Sequence, residues 1–225
     1  MDGAVIFDFD GVLVDTESAV LAAWRADCAH LGVPFDEAAF VAAVGVPSLH
    51  PDRIRAVFGP AAGDPAVAAA RIRARLRHLS GDLPVLPGVR ALLAEAAAAG
   101  VPTAVASGAT RDWVRGHLER VGLLDTFEAV VCRDDVRAGK PAPDLYLAAL
   151  TALDVPADSA VAVEDTTTGV AAARAAGLRC VAVPGPTTVG HDFSAAETVL
   201  TSLAGVRLSD LLPAADRPQR STGSM

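Results

Sequence analysis

Asp8 and Asp10, two residues apart in Asp-Phe-Asp-Gly, close the first apolar run of the chain, and a second acidic pair, Glu164-Asp165, closes another far downstream. Between them come Ser107-Gly108 and Lys140-Pro141. Acids gathered at this density repel one another unless a cation neutralises them. A set of hard oxygen donors without His or Cys points to Mg²⁺, which prefers six oxygens and keeps several waters. The Ser107 hydroxyl, neighbouring backbone N–H groups and the Lys140 ammonium supply donors for a tetrahedral anion. Metal, anion cradle and an uncoordinated acid together make a phosphoryl-transfer site.

The basic residues single out Lys140. The chain has eighteen arginines and this one lysine. A compact ammonium and a planar guanidinium are not interchangeable, so a lone lysine suggests a position where arginine does not serve, against the plainer reading of chance survival on the surface. Each of these residues alone is a weak signal; the whole set, in this order, is strong.

The elements that must position them follow from the apolar pattern. Runs at 4–9, 102–107, 128–132, 160–164 and 180–183 are continuous rather than alternating, as expected for parallel strands covered on both faces. Helical stretches at 88–99, 110–121, 142–154 and 167–176 separate the later strands, and Gly100, Gly122 and Gly177 stop three of them. Strand alternating with helix predicts an α/β fold with a Rossmann-like, doubly wound parallel sheet. Ligands in such sheets gather beyond the carboxyl ends of the strands. There the first strand delivers Asp8 and Asp10, the second Ser107-Gly108, the segment after the third Lys140, and the fourth Glu164-Asp165. The interval between the first two strands is too long for one crossover. Its helical stretches at 17–31, 36–43, 51–58 and 64–79 predict a small all-α domain inserted after the first strand. The expected division is a core of residues 1–16 and 85–212, a cap of 17–84, and a disordered tail of 213–225.

The segments DFDGVLVDTE (8–17), ASG (106–108), GKPAPDLYL (139–147) and VEDTTTGVAAARAAG (163–177) resemble the four motifs of the haloacid dehalogenase-like hydrolase superfamily. The inserted helices resemble the α-helical cap of its phosphatase branch, which includes β-phosphoglucomutase-like and sugar- or polyol-phosphate phosphatase-like members. The resemblance implies that Asp8 is the nucleophile and forms an aspartyl-phosphate, and that Asp10 protonates the leaving alcohol and then takes a proton from water. It implies Mg²⁺ held by Asp8, the Asp10 backbone carbonyl and Asp165, with Glu164 either a ligand or an orienter. Gly11, Ser107, Gly108 and Lys140 would hold the phosphoryl group. The cap carries no comparable signature; Ser48, His50 and Arg53 are its candidates for substrate specificity, against the plainer reading of a helix–helix turn. On one helix, Arg71, Arg73, Arg75 and Arg77 spread over several faces, with one or two able to face an anion. Trp24, Trp113 and His117 read as packing or surface residues.

The expected activity is Mg²⁺-dependent hydrolysis of a small phosphorylated metabolite, a sugar or polyol phosphate. Dehalogenation would not need Asp10. Schiff-base phosphonate cleavage would need a cap lysine, and none precedes Lys140. A β-phosphoglucomutase-like mutase is the runner-up, weakened by the apolar first cap helix around Val20–Trp24. A non-enzymatic phosphoreceiver domain would be shorter, without a cap and without an acid two residues after the nucleophile. A formal charge of −8 and a pI of about 5.0 argue against nucleic acid and anionic membrane surfaces as partners. With 52% hydrophobic residues and a mean hydropathy of +0.37 the chain can bury an ample core, yet no run of about 20 apolar residues would span a bilayer. Cys28, Cys132 and Cys180 are widely spaced and read as buried thiols of a reducing compartment. The expectation is a cytoplasmic monomer or weak homodimer.

Overall fold

The computed structural model describes residues 3–42, 49–79, 81 and 83–212. The expected tail of 213–225 lies outside them. Among the described residues six parallel strands form one sheet in the order β3-β2-β1-β4-β5-β6. They are β1 (Ala4–Phe7), β2 (Thr103–Ala106), β3 (Ala129–Val131), β4 (Ala160–Glu164), β5 (Arg179–Ala182) and β6 (Thr198–Val199). β1 lies centrally, paired with β2 through Phe7↔Val105 and with β4 through Phe7↔Val163. The central strands are fully buried, which is why their sequence is a continuous apolar run. The two-residue β6, exposed at the sheet edge, is an addition to the five strands expected from sequence. It is too short to leave an apolar pattern.

Helices cover both faces, as the expected α/β class requires. On one face α5 (Val89–Ala99) and α6 (Arg111–Arg120) pack with Val5, Phe7, Val105 and Val163. On the other, α7 (Asp144–Leu153) and α8 (Thr167–Ala175) pack with Ile6, Ala104 and Ala162. The alternation of Val5 and Ile6 between the two cores is the period of two of a pleated strand. Small alanines on the second face let α7 and α8 approach closely. A short α9 (Leu208–Leu211) seals the first face with Leu208 and Leu211.

Between β1 and β2 stands the inserted all-α unit: α1 (Thr16–Leu31), α2 (Glu37–Ala42), α3 (Pro51–Phe58) and α4 (Pro65–Leu79). These helices share a third core around Trp24, Phe40, Ile54, Phe58 and Ile72. Trp24 stacks on Phe58 at 5.1 Å between centroids and meets Phe40 edge-on at 5.6 Å, the packing role read from its sequence. Arg71 and Arg75 are engaged within the inserted unit itself. Both reach the fully buried Asp27 of α1, at 3.0 and 3.2 Å. Their spacing of four puts them on one face of α4. The three cysteines are buried and free. No described helix is long and apolar enough to cross a membrane.

Candidate active site

Asp8 follows directly on β1, and its backbone N–H donates to the Val163 carbonyl at 2.9 Å, which fixes it beside the end of β4. There Glu164 and Asp165 emerge from the sheet. The chain then turns tightly: Leu13 N donates to Phe9 O and Gly11 N to Val14 O, both at 3.0 Å. Gly11 has φ +75°, and a Cβ on it would lie 2.2 Å from Asp165 Oδ2, so both conformation and space demand glycine. The Thr166 hydroxyl caps α8 by accepting from Gly169 N at 3.1 Å. Gly169 itself leaves room for Glu164, whose carboxyl carbon would stand 2.0 Å from a Cβ there.

The fold thus brings together the acids that the sequence separates. Asp8, Glu164 and Asp165 are buried, and one oxygen of each lies within 4.8 Å of the others. Lys140 arrives on the loop before α7, after which the Lys140–Pro141 peptide is cis. Asp144 anchors that loop by accepting from Ala138 N at 3.1 Å. The Lys140 ammonium donates to Asp8 Oδ1 and to Glu164 Oε1, each at 2.5 Å. Tyr146, fully buried, donates to the same Glu164 oxygen at 2.6 Å. Oε1 is therefore committed, and Oε2, with longer contacts to Asp165 N and the Thr166 hydroxyl at 3.3 and 3.4 Å, is the oxygen Glu164 can still offer.

The electrostatics are those of an unfinished charge balance. Burial pushes the Asp8 carboxyl up to about 7 despite the opposing charge of Lys140. Burial, followed by the charges of Asp8 and Glu164, pushes Asp165 well above the usual carboxylate range. Asp165 Oδ1 is buried and finds no hydrogen-bond partner among the described residues. Lys140 is held above its ordinary value because Asp8 and Glu164 outweigh the cost of its burial.

Asp10 sits one turn further along. Burial raises its carboxyl, while the Thr16 hydroxyl and the Trp113 indole oppose the rise. Trp113 Nε1 donates to Asp10 Oδ1 at 2.9 Å. Trp113, read from sequence as packing, therefore touches a candidate catalytic residue. Ser107 is fully buried beyond β2, its Oγ accepting from Ala109 N at 3.1 Å. Gly108 is exposed, and a Cβ there would meet nothing within 4 Å. Asp134 and Asp135 lie exposed on a short helical turn, where Asp134 accepts from Arg111 N at 2.6 Å and Asp135 pairs with the Arg111 guanidinium.

The cap candidates separate. Ser48 lies outside the described residues. His50 is an exposed helix cap, its Nδ1 accepting from Asp52 N at 3.3 Å. Arg53 is buried, its guanidinium 4.5 Å from the Phe40 ring centroid and 5.7 Å from that of Trp24. Burial lowers its affinity for a proton, and the charge of Glu17 opposes that. Glu17, which the sequence reading quoted but gave no role, is itself raised by burial and by Asp10, and accepts from the Thr187 hydroxyl at 3.4 Å. Its charge acts on both Arg53 and Asp165.

Comparison with known proteins gives the family of the chain. Residues 5–183 match the haloacid dehalogenase-like hydrolase family. Protein CbbY of Cereibacter sphaeroides is 35% identical over 89% of this chain and 92% of its own length. Fructose-1-phosphate phosphatase YqaB of Escherichia coli is 32% identical over 80% and 95%. The crystal structure of CbbY from Rhodobacter sphaeroides in complex with phosphate is similar with a TM-score of 0.79 at 32% identity, covering 94% of this chain and 99% of that one. The chain belongs to the haloacid dehalogenase-like hydrolase family.

Proposed function

We propose that this phosphatase hydrolyses the phosphomonoester of a small sugar or polyol through an aspartyl-phosphate on Asp8, with Mg²⁺ as cofactor. One observation carries the reading: three buried carboxylates share a space with a single ammonium. Three negative charges against one positive leave a deficit of two, which a divalent cation closes. The partnerless Asp165 Oδ1 and the all-oxygen donor set fit Mg²⁺. Asp8, Asp165, the Asp10 backbone carbonyl and Oε2 of Glu164 are the groups available to hold it. Bound there, it would screen the carboxylates from the incoming phosphate and stabilise charge on the phosphoryl oxygens.

Asp8 attacks phosphorus through its free carboxylate oxygen. Lys140, fixed by Glu164 and Tyr146, keeps one Asp8 oxygen turned away and presents its ammonium to the transferring group. The Ser107 hydroxyl and the backbone at Gly108 offer donors, with open space at Gly108, while Gly11 lets the chain turn tightly against Asp165. Asp10 gives its proton to the departing alkoxide, then takes one from the water that cleaves the acyl phosphate. The cap, proposed as residues 17–84, would close over the substrate, with Arg53 the cap residue best placed to meet an anionic or hydroxylated part of it.

Sugar phosphates as the substrate class are favoured by the relatives: YqaB is named for fructose 1-phosphate, and a CbbY structure holds xylulose-(1,5)bisphosphate. A phosphate-release screen over sugar, polyol and small acid phosphates, with and without Mg²⁺, tests the proposal. Mg²⁺-dependent turnover concentrated on sugar or polyol monoesters is expected. Release that is indifferent to Mg²⁺, or confined to acid phosphates, would overturn it.

A further inference from the structure

Asp10 lies at the boundary of two elements, and the group that fixes its carboxylate comes from a distant part of the chain. Trp113 stands in the first turn of α6, just past the Ser107-Gly108 turn, and its indole N–H reaches Asp10 Oδ1 at 2.9 Å. The indole is in turn held from below. His117, one turn along α6, packs against it at 4.2 Å between ring centroids. His117 Nδ1 donates to the Trp113 carbonyl at 2.8 Å, and its ring meets Phe9 edge-on at 6.0 Å. His117 is buried, so this support has little freedom.

An indole nitrogen can only donate. A carboxyl oxygen facing such a donor keeps its negative character and takes a proton less readily than its partner oxygen. We propose that Trp113 is a positioning residue for Asp10: it holds Oδ1 as the acceptor and leaves Oδ2 to carry the proton that goes to the substrate. The inference rests on the reading of Asp10 as general acid and base. In the first step Asp8 bonds to phosphorus, the ester P–O bond breaks, and the Oδ2 proton passes to the leaving oxygen, giving the free alcohol. In the second, a water oxygen bonds to phosphorus as its proton returns to Oδ2; the bond to Asp8 breaks, and phosphate leaves. Without the N–H donor the carboxyl can rotate and carry its proton on either oxygen, so part of the acid's contribution is lost.

The decisive experiment compares a good and a poor leaving group. Single-turnover phosphorylation by the full chain with Mg²⁺ is measured on 4-nitrophenyl phosphate and on the best sugar phosphate from the screen above. The variants are Asp10→Asn, Trp113→Phe, their combination, and Trp113 replaced by benzothienylalanine. The last keeps the shape of indole and its contact with His117 but lacks the N–H, so it decides the matter if the Phe variant does not fold. We expect both Trp113 variants to lose about tenfold on the sugar phosphate, a fraction of what general acid catalysis supplies. They should lose less than twofold on the aryl phosphate. In the Asp10→Asn background Trp113→Phe should add nothing. Equal losses on the two substrates, or an additive loss in the double variant, would overturn the role of Trp113. If Asp10→Asn alone fails to discriminate between the substrates, the acid assignment of Asp10 falls first and this inference with it.

Discussion

Asp27 in the cap and Asp165 in the core are both carboxylates withdrawn from water, and the chain neutralises them in opposite ways. Asp27 meets two arginines, Arg71 and Arg75, whose outer parts remain about a third exposed. Its charge is more than balanced, and both of its oxygens accept hydrogen bonds. Asp165 shares its surroundings with Asp8 and Glu164, and the one ammonium nearby is spent on those two. A carboxylate pair or triad in a low-dielectric site costs free energy that packing alone does not return. A buried acid with surplus cations ties helices together; buried acids with a cation deficit are a place prepared for something to arrive.

Ranked by their effect on turnover, the substitutions that test this contrast begin with Asp8→Asn. A neutral amide is a poor nucleophile, and the change also removes a metal-facing charge. Turnover should be abolished with the fold retained, as judged by circular dichroism. More than a few per cent of wild-type activity in a Mg²⁺-saturated sample would contradict covalent catalysis at Asp8.

Asp165→Asn comes next, with a loss of roughly 10³ from the missing metal chemistry. It also has a readout independent of turnover. Mg²⁺ at a hundred times its Kd stabilises a folded chain by about 2.7 kcal/mol, or roughly 5–10 °C in Tm for a chain of this size. The wild type should show that gain and Asp165→Asn should not. A wild-type melting curve that Mg²⁺ leaves unmoved would mean the charge deficit has another resolution.

Lys140→Arg should lose ~10². Its ammonium fits between Asp8 and Glu164 at 2.5 Å from each, a space shaped for a point charge rather than a planar fork. Near-wild-type turnover in the arginine variant would make the lone lysine an accident of composition.

What could be read from the sequence divides along the same lines as the two acids. The core strands were legible because a buried parallel strand writes a continuous apolar run, and the four strand ends were legible because each motif is local. Asp8, Asp10, Ser107, Lys140, Glu164 and Asp165 could be proposed together only because sheet topology brings strand ends to one edge. Contacts made across the fold between residues with no local pattern were not legible. Trp113 finds Asp10 across 103 positions and Asp27 finds Arg71 across 44. The i,i+4 spacing of Arg71 and Arg75 was visible, but nothing in it announced an acid on α1. Tyr146 could be seen as part of a motif, while its hydroxyl bond to Glu164 depends on how α7 docks.

The smallest expected effect on turnover belongs to Asp27→Asn, and it completes the contrast. The substitution keeps the volume and a hydrogen-bond acceptor but leaves two arginines facing a neutral amide. Removing one partner of a buried ion pair costs 3–5 kcal/mol when the other charge is trapped. Here the arginine side chains are 27% and 33% exposed and can turn toward water, so a loss of about 2–3 kcal/mol is the better expectation. It should appear in urea unfolding, as a lower midpoint of the transition that reports the cap. Because Asp27 packs α1 against α4 and does not reach the acidic cluster, kcat below the melting range should stay within about twofold of wild type, and the Mg²⁺-dependent rise in Tm should persist. A variant that melts like wild type yet loses turnover as Lys140→Arg does would place Asp27 and its arginines in the catalytic machinery, and the distinction between a structural and a functional buried acid in this chain would fail.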